Sequence, residues 1–141
     1  MNQRVIYTHI YEPNNLPVGV KYENLNDLDN YINDSIDEIL ITDLLDYQSE
    51  DNVPETLMKI CNKIKPQGTI HIQSIDLVQL ATTIASQSID ISTAKVILYP
   101  NKKSIHTLYD IEQLLMKYNF DITNKQYINM FEYFISATKN D

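Results

Sequence analysis

The sequence predicts an α/β domain built on a mostly parallel sheet and closed by an antiparallel hairpin. Three observations carry this. Strand-like and helix-like segments alternate along the chain, the pattern that helical crossovers between parallel strands produce. Residues 38–42, Glu-Ile-Leu-Ile-Thr, form a nearly continuous apolar run, as in a strand covered on both faces. Near the C-terminus two strand-like segments are separated by about two residues, Asn129 and Met130, which is hairpin spacing.

In order, residues 4–10 alternate Val5, Tyr7 and His9 against Ile6, Thr8 and Ile10, a first strand. Pro13, Asn14, Asn15 and Pro17 mark the next stretch as a loop. Residues 18–25 predict a second strand. Residues 26–37 are polar, with room for one helical turn over 28–32, and 38–42 are a third strand. A helix follows over 54–64. Pro54 suits its first turn and Glu55 complements the positive end of its dipole. Leu57, Ile60, Cys61 and Ile64 fall at i, i+3, i+4 and i+7, one buried stripe. Residues 65–68, Lys-Pro-Gln-Gly, end the helix and turn the chain into a fourth strand over 69–75. Asp76 caps a helix over 76–88, with Leu77, Leu80, Ala81 and Ile84 as its apolar face. The apolar stretch 94–98 is broken at Tyr99-Pro100-Asn101. Thr107 caps a helix to about residue 119, with Leu108, Ile111, Leu115 and Tyr118 on one face and Asp110 near its start. Residues 121–128 and 131–138 form the hairpin. No repeat, linker or low-complexity stretch interrupts the chain, so one domain over residues 1–141 is expected.

Composition narrows the function classes. At 43% hydrophobic and 21% charged residues, the chain is an ordinary globular protein. No apolar run approaches the ~20 residues of a membrane span, and Met1-Asn2-Gln3-Arg4 lacks a signal peptide's apolar stretch. The expected location is cytoplasmic, with no membrane partner. A net charge of −8, with no basic patch beyond Lys102-Lys103, argues against nucleic acid, whose binding rests on neutralising phosphates. His9, His71 and His106 share no metal-ligand spacing with each other or with Cys61, so no metal is expected. The lone Cys61 has no disulfide partner and reads as a small buried hydrophobe.

Several residues are candidates for chemistry. His9 ends the first strand, as a base or ligand contact or as a strand-end histidine making a local hydrogen bond; Glu12 follows in the loop. Asp43 and Asp46 follow the third strand, at the carboxyl edge where α/β sheets bind ligands; otherwise they are solvated loop carboxylates. His71 and Gln73 alternate with Ile70 and Ile72 on a strand expected to be central. A polar face there means a wet cavity, a thin helical cover or a subunit contact. Tyr127, Phe131, Tyr133 and Phe134 in the hairpin read as core and edge packing. An exposed aromatic edge also suits a second copy, so a homo-oligomer through the C-terminal hairpin is an expectation.

The order of these segments resembles a family. Residues 33–40, Asn-Asp-Ser-Ile-Asp-Glu-Ile-Leu, resemble the "pdnSfDeI" segment entering the fourth strand of class I S-adenosylmethionine-dependent methyltransferases. Leu44-Leu45-Asp46-Tyr47 resembles their "vLEH" segment, and Lys63 to Gly68 their "vLKPGG" helix end. Residues 69–76 resemble "lrIsvPD" and 108–120 the "DLeeLLeeaGF" helix. The resemblance covers most of the chain and implies a Rossmann-like three-layer sandwich with an antiparallel seventh strand and without the usual third strand.

The same resemblance locates the departures. The chain has two glycines, where average use gives roughly ten. Gly68 is expected in a turn and Gly19 in or beside the second strand; neither lies in residues 8–15. That loop is glycine-rich in the family, where glycine lets the backbone approach the cofactor. The family's ribose-binding acid at the end of the second strand is matched by Asn26, with Asp27 one residue on, and the histidine of "LEH" is Tyr47 here. The cofactor contacts implied are therefore His9, Glu12, Asn26, Asp27, Asp43 and Asp46, with no catalytic residue. The expected function is a degenerate, non-catalytic methyltransferase-like binding or structural module, with no cofactor and an unknown protein or small-molecule partner. The alternative is an active small S-adenosylmethionine-dependent methyltransferase with a glycine-free loop.

Overall fold

The computed structural model describes residues 4–9, 12–99 and 101–141. A six-stranded sheet runs in the order β2-β1-β3-β4-β6-β5, from β1 (Val5–Thr8), β2 (Val20–Tyr22), β3 (Ile36–Thr42), β4 (Ile64–Ile75), β5 (Phe120–Ile128) and β6 (Glu132–Lys139). The first four strands pair in parallel, and β6 lies antiparallel to both β4 and β5. The helices are α1 (Val53–Lys63), α2 (Leu77–Ala85), α3 (Ile91–Leu98) and α4 (Leu108–Lys117). This is the expected α/β class with its closing antiparallel hairpin. Ile10 of the predicted first strand and Pro100 of the predicted break lie outside the described residues.

β2 is a sheet edge. A 3-2-1 strand order puts a third strand beside it; among the described residues there is instead one 3-10 turn, Asp27–Asn30. A groove of about 750 Å³ lies beside β1 and β2, lined by Lys21, Asp27 and Tyr31 among others.

Helices α1 and α4 form one layer over the sheet. Leu57, Ile60 and Cys61 of α1 and Leu108, Ile111 and Leu115 of α4 join Ile6, Ile39, Ile41, Ile70 and Ile72 in one core. The predicted α1 stripe is buried as read, and burial pushes the Cys61 thiol up to about 12, which makes it inert. α4 begins in a reciprocal capping box: Asp110 N donates to Thr107 Oγ1 at 3.1 Å and Thr107 N to Asp110 Oδ2 at 3.2 Å. On the opposite face Tyr7, Leu40, His71 and Gln73 stay half-buried. The expectation of a sheet covered on both faces thus holds on one face only, because no helix joins β1 to β2 among the described residues.

Two further readings are corrected. Residues 65–68 are not a turn between helix and strand, because β4 starts at Ile64 and runs through them. Gln67 takes a positive φ of 68° there, and β3 carries the matching irregularity between Ile36 and Glu38. Gly68 is required by crowding: a Cβ would sit 2.7 Å from Ile64 Cγ2 and 2.9 Å from the Asp37 and Lys65 carbonyl oxygens. The predicted apolar face of α2 is also mostly unpacked, with Leu80 buried and Ile84 half-buried but Leu77 and Ala81 exposed. The reason is that α2 and α3 belong to an excursion beyond the end of β4. The two ends of that excursion meet at a bridge between Asp76 and His106. Asp76 caps α2, as read, by accepting from Gln79 N at 2.9 Å; it also accepts from Leu108 N at 2.7 Å, so one carboxylate anchors both helices. Among the described residues no helix is long and apolar enough to cross a membrane.

Candidate functional site at the carboxyl edge of the sheet

The carboxyl ends of β1 and β3 lie side by side, with Thr8 paired to Ile41. Thr8 is fully buried and its Oγ1 has no hydrogen-bond partner among the described residues. Asp43, one residue past β3, takes a φ of 49°, and its backbone N donates to the Gln73 carbonyl at 2.9 Å. Its Oδ1 is the second buried polar atom without a partner. Burial, with the Glu132 charge next, raises the Asp43 carboxyl above its ordinary 3.8. Buried polar atoms are nearly always satisfied, so two orphans on neighbouring strand ends single out this edge as the candidate site.

Asp46 lies deeper, 1% exposed. Its Oδ2 accepts from Ser74 Oγ at 2.7 Å and from Lys102 Nζ at 3.0 Å. Its carbonyl accepts from the Lys103 and Ser104 backbones at 2.7 and 3.0 Å. Asp46 therefore fastens the returning strand of the α2–α3 excursion to the end of β3. Burial, then the charges of Asp46, Asp43 and Asp76, hold the Tyr133 phenol well above its ordinary range. These acids thus converge beneath one edge.

At the end of β2 the sequence reading misplaced the acid. Asn26 and Asp27 are exposed and lie past the strand, with Asp27 N bonded to Asn24 Oδ1 at 2.8 Å. The carboxylate at the strand end is Glu23, which follows Tyr22 directly. Its Oε1 accepts from Tyr31 Oη at 3.0 Å and pairs with Lys21 Nζ at 2.8 Å. The Lys21 contact holds its carboxyl below the ordinary range against the opposing effect of burial, with the Tyr31 hydrogen bond adding a smaller contribution. The signal was present in Glu23 as the first acid after Val20-Lys21-Tyr22, but the predicted strand ran three residues too far. His9 is half-buried at the end of β1, its ring 6.3 Å from that of Tyr7, and its carbonyl accepts from Tyr22 Oη at 2.9 Å. Glu12 is exposed; its charge and that of Asp27 act on Tyr22. The candidates thus separate into His9, Asp43 and Asp46 at β1 and β3, and Glu12, Asn26 and Asp27 around the end of β2.

No protein-family model and no curated protein matches the sequence. Solved structures do. An S-adenosylmethionine-dependent methyltransferase from Archaeoglobus fulgidus is similar with a TM-score of 0.69 and 14% identity, over 97% of this chain and 86% of its own. The 1,6-didemethyltoxoflavin-N1-methyltransferase of Burkholderia thailandensis, solved with bound S-adenosylhomocysteine, is similar with a TM-score of 0.63 and 17% identity, over 98% and 62%. A Haloferax volcanii protein solved in complex with the Trm112 methyltransferase activator gives 0.63 and 9%, over 90% and 64%. This is the class I methyltransferase fold. The chain spans 36% of one similar structure, 52% of another and 62–64% of three more.

The comparison corrects one expectation. A protein without a cofactor was expected, yet a neighbour of this methyltransferase fold holds S-adenosylhomocysteine, which points to S-adenosylmethionine as the fold's cofactor. The residues present fit such a group in part. Glu23 supplies a carboxylate at the end of β2, and Thr8 and Asp43 supply unpartnered polar atoms at the ends of β1 and β3. Residues 8–15 contain no glycine.

Proposed function

We propose that this chain is one methyltransferase-like domain that binds an S-adenosylmethionine-class ligand at the carboxyl edge of its sheet without transferring a methyl group on its own. The unpartnered Asp43 Oδ1 at the carboxyl edge, with the buried Thr8 Oγ1 beside it on the next strand end, supports this reading. Asp43 accepts a cationic or N–H group of the ligand, Thr8 makes the neighbouring polar contact, and Glu23 receives hydroxyls. His9, Glu12, Asn26 and Asp27 line the approach. Asp46 positions the edge through Lys102 and Ser74. When bound, S-adenosylmethionine supplies a methyl group activated on a sulfonium. Placing an acceptor against that methyl needs a walled site, and the sheet face beside this edge is half-open. Asp46 occupies the position of the family's acid but is already hydrogen-bonded, and Tyr47 stands where the family has histidine. A protein partner completing the wall fits this reading, since one similar protein is solved with an activator.

Calorimetric titration with S-adenosylhomocysteine tests it. Saturable binding is expected, weakened at least about tenfold by Asp43→Asn, in line with loss of a charge-assisted hydrogen bond. A flat titration of folded protein overturns the proposal. A second reading, a working small methyltransferase, is favoured by the unpartnered carboxylate oxygen of Asp43 at the edge, a group that can accept a proton. Incorporation of labelled methyl into an acceptor by the purified chain would decide for it.

A further inference from the structure

The half-open sheet face is not bare. Residues Pro13, Leu16 and Pro17 of the loop before β2 wall a cavity of about 490 Å³ against Tyr7, Leu40 and Phe134, a volume ordinary for small-molecule sites. Side chains alternate along a strand, so Tyr7 faces this cavity while Thr8 faces the core. The cavity is therefore separate from the carboxyl-edge orphans.

One polar line crosses its floor. His71 Nε2 lies 2.7 Å from Glu38 Oε1, and His71 Nδ1 lies 2.6 Å from Ser136 Oγ. The carboxylate only accepts, so Nε2 donates to it, and in a neutral ring Nδ1 accepts from the Ser136 hydroxyl. The His71 ring is stacked on Phe134, centroids 5.9 Å apart at 19°. The order serine, histidine, carboxylate is that of an activated nucleophile, but Ser136 is 7% exposed in a strand paired on both sides. Its neighbouring backbone donors are thereby engaged in the sheet. The open end of the line is Glu38, whose side chain is 34% exposed. His71 orients that carboxylate, and Oε2 takes no hydrogen bond from the described residues. Among the described residues no lysine or arginine lines the cavity, and Glu38, beside His71, is its one carboxylate.

We propose that this cavity binds a flat aromatic molecule carrying a protonated amine. The ring lies against Tyr7, Leu40 and Phe134, and the ammonium sits on Glu38. The net charge of −8 raises the local concentration of such cations.

Tryptamine and its neutral analogue tryptophol test this on the full chain. The protein has no tryptophan, so indole emission reports the probe alone. Indole anisotropy is expected to rise and saturate with tryptamine. Glu38→Gln is expected to weaken it about tenfold, and tryptophol to bind the unaltered protein about tenfold less tightly. The tryptophol arm stands even where Glu38→Gln fails to fold. No saturable rise, equal affinity for the two probes, or a dimer in sedimentation that excludes tryptamine overturns the proposal.

Discussion

Replacing Asp43 by asparagine separates the cost of the carboxyl edge from its use. Its Oδ1 is buried without a partner, and burial raises the carboxyl above 3.8. Burial therefore disfavours the charged carboxylate in the native state relative to the unfolded chain, which solvates it better. Asparagine keeps an unpartnered oxygen there, so only the extra desolvation of the charge is relieved, on the order of 1 kcal/mol for a half-buried residue. The unfolding entropy of a 141-residue chain is about 0.3 kcal/mol/K, so Asp43→Asn is expected to raise Tm by about 3 °C at pH 7. The sign with pH follows from linkage. Between pH 3.8 and the raised native value, the native state binds more protons than the unfolded one, so this group's contribution to stability falls as pH rises. Below 3.8 the native acid is as neutral as asparagine and the gain disappears. Calorimetric scans of both proteins from pH 7 downward check this. A variant less stable at pH 7, or a gain that persists unchanged in acid, would refute the reasoning. The same variant is expected to lose affinity for S-adenosylhomocysteine, the exchange of stability for function usual at binding sites.

Lys102→Met leaves Asp46, 1% exposed, without its cation, and breaking a buried pair costs about 3 kcal/mol; urea unfolding should show that loss. Gly68→Ala puts a Cβ within 3.0 Å of Ile64 Cγ2 and two carbonyl oxygens. Overpacking of that kind costs about 1–3 kcal/mol, read as a lower urea midpoint at unchanged slope. Cys61, buried with its thiol pushed up to about 12, should react with a disulfide reagent only as fast as the protein unfolds. Rapid labelling of native protein would contradict its burial.

Much of the fold was legible because its signals are local. The α1 stripe Leu57, Ile60, Cys61 is set by a 3.6-residue period, and Asp76 and Thr107 announce helix starts within three residues of the groups they cap. The hairpin announced itself by spacing. The site was legible only as an address. Asp43 and Asp46 were recognised as following the third strand, and both lie at the carboxyl edge. Which acid ends β2 was misread, because the strand stops where pairing with β1 stops, at Tyr22 opposite Tyr7. Nothing within residues 18–27 marks that limit. Likewise β4 begins at Ile64 because Ile36 of β3 pairs with it there, and residues 65–68 form an irregularity within the strand opposite Asp37.

By itself, then, the sequence determined the class of fold, the order of its elements apart from the unread α3, and the glycine-free stretch 8–15. Those follow from periodicity, capping and composition, which are read within one turn or one strand. The tertiary structure decided what needs distant residues. It orphaned Thr8 and Asp43 together, satisfied Asp46 with a lysine 56 residues away, and joined His71 to Ser136 across 65 residues. Pairing register and burial arise only when strands meet, so partners, exposure and the shape of each cavity are settled there.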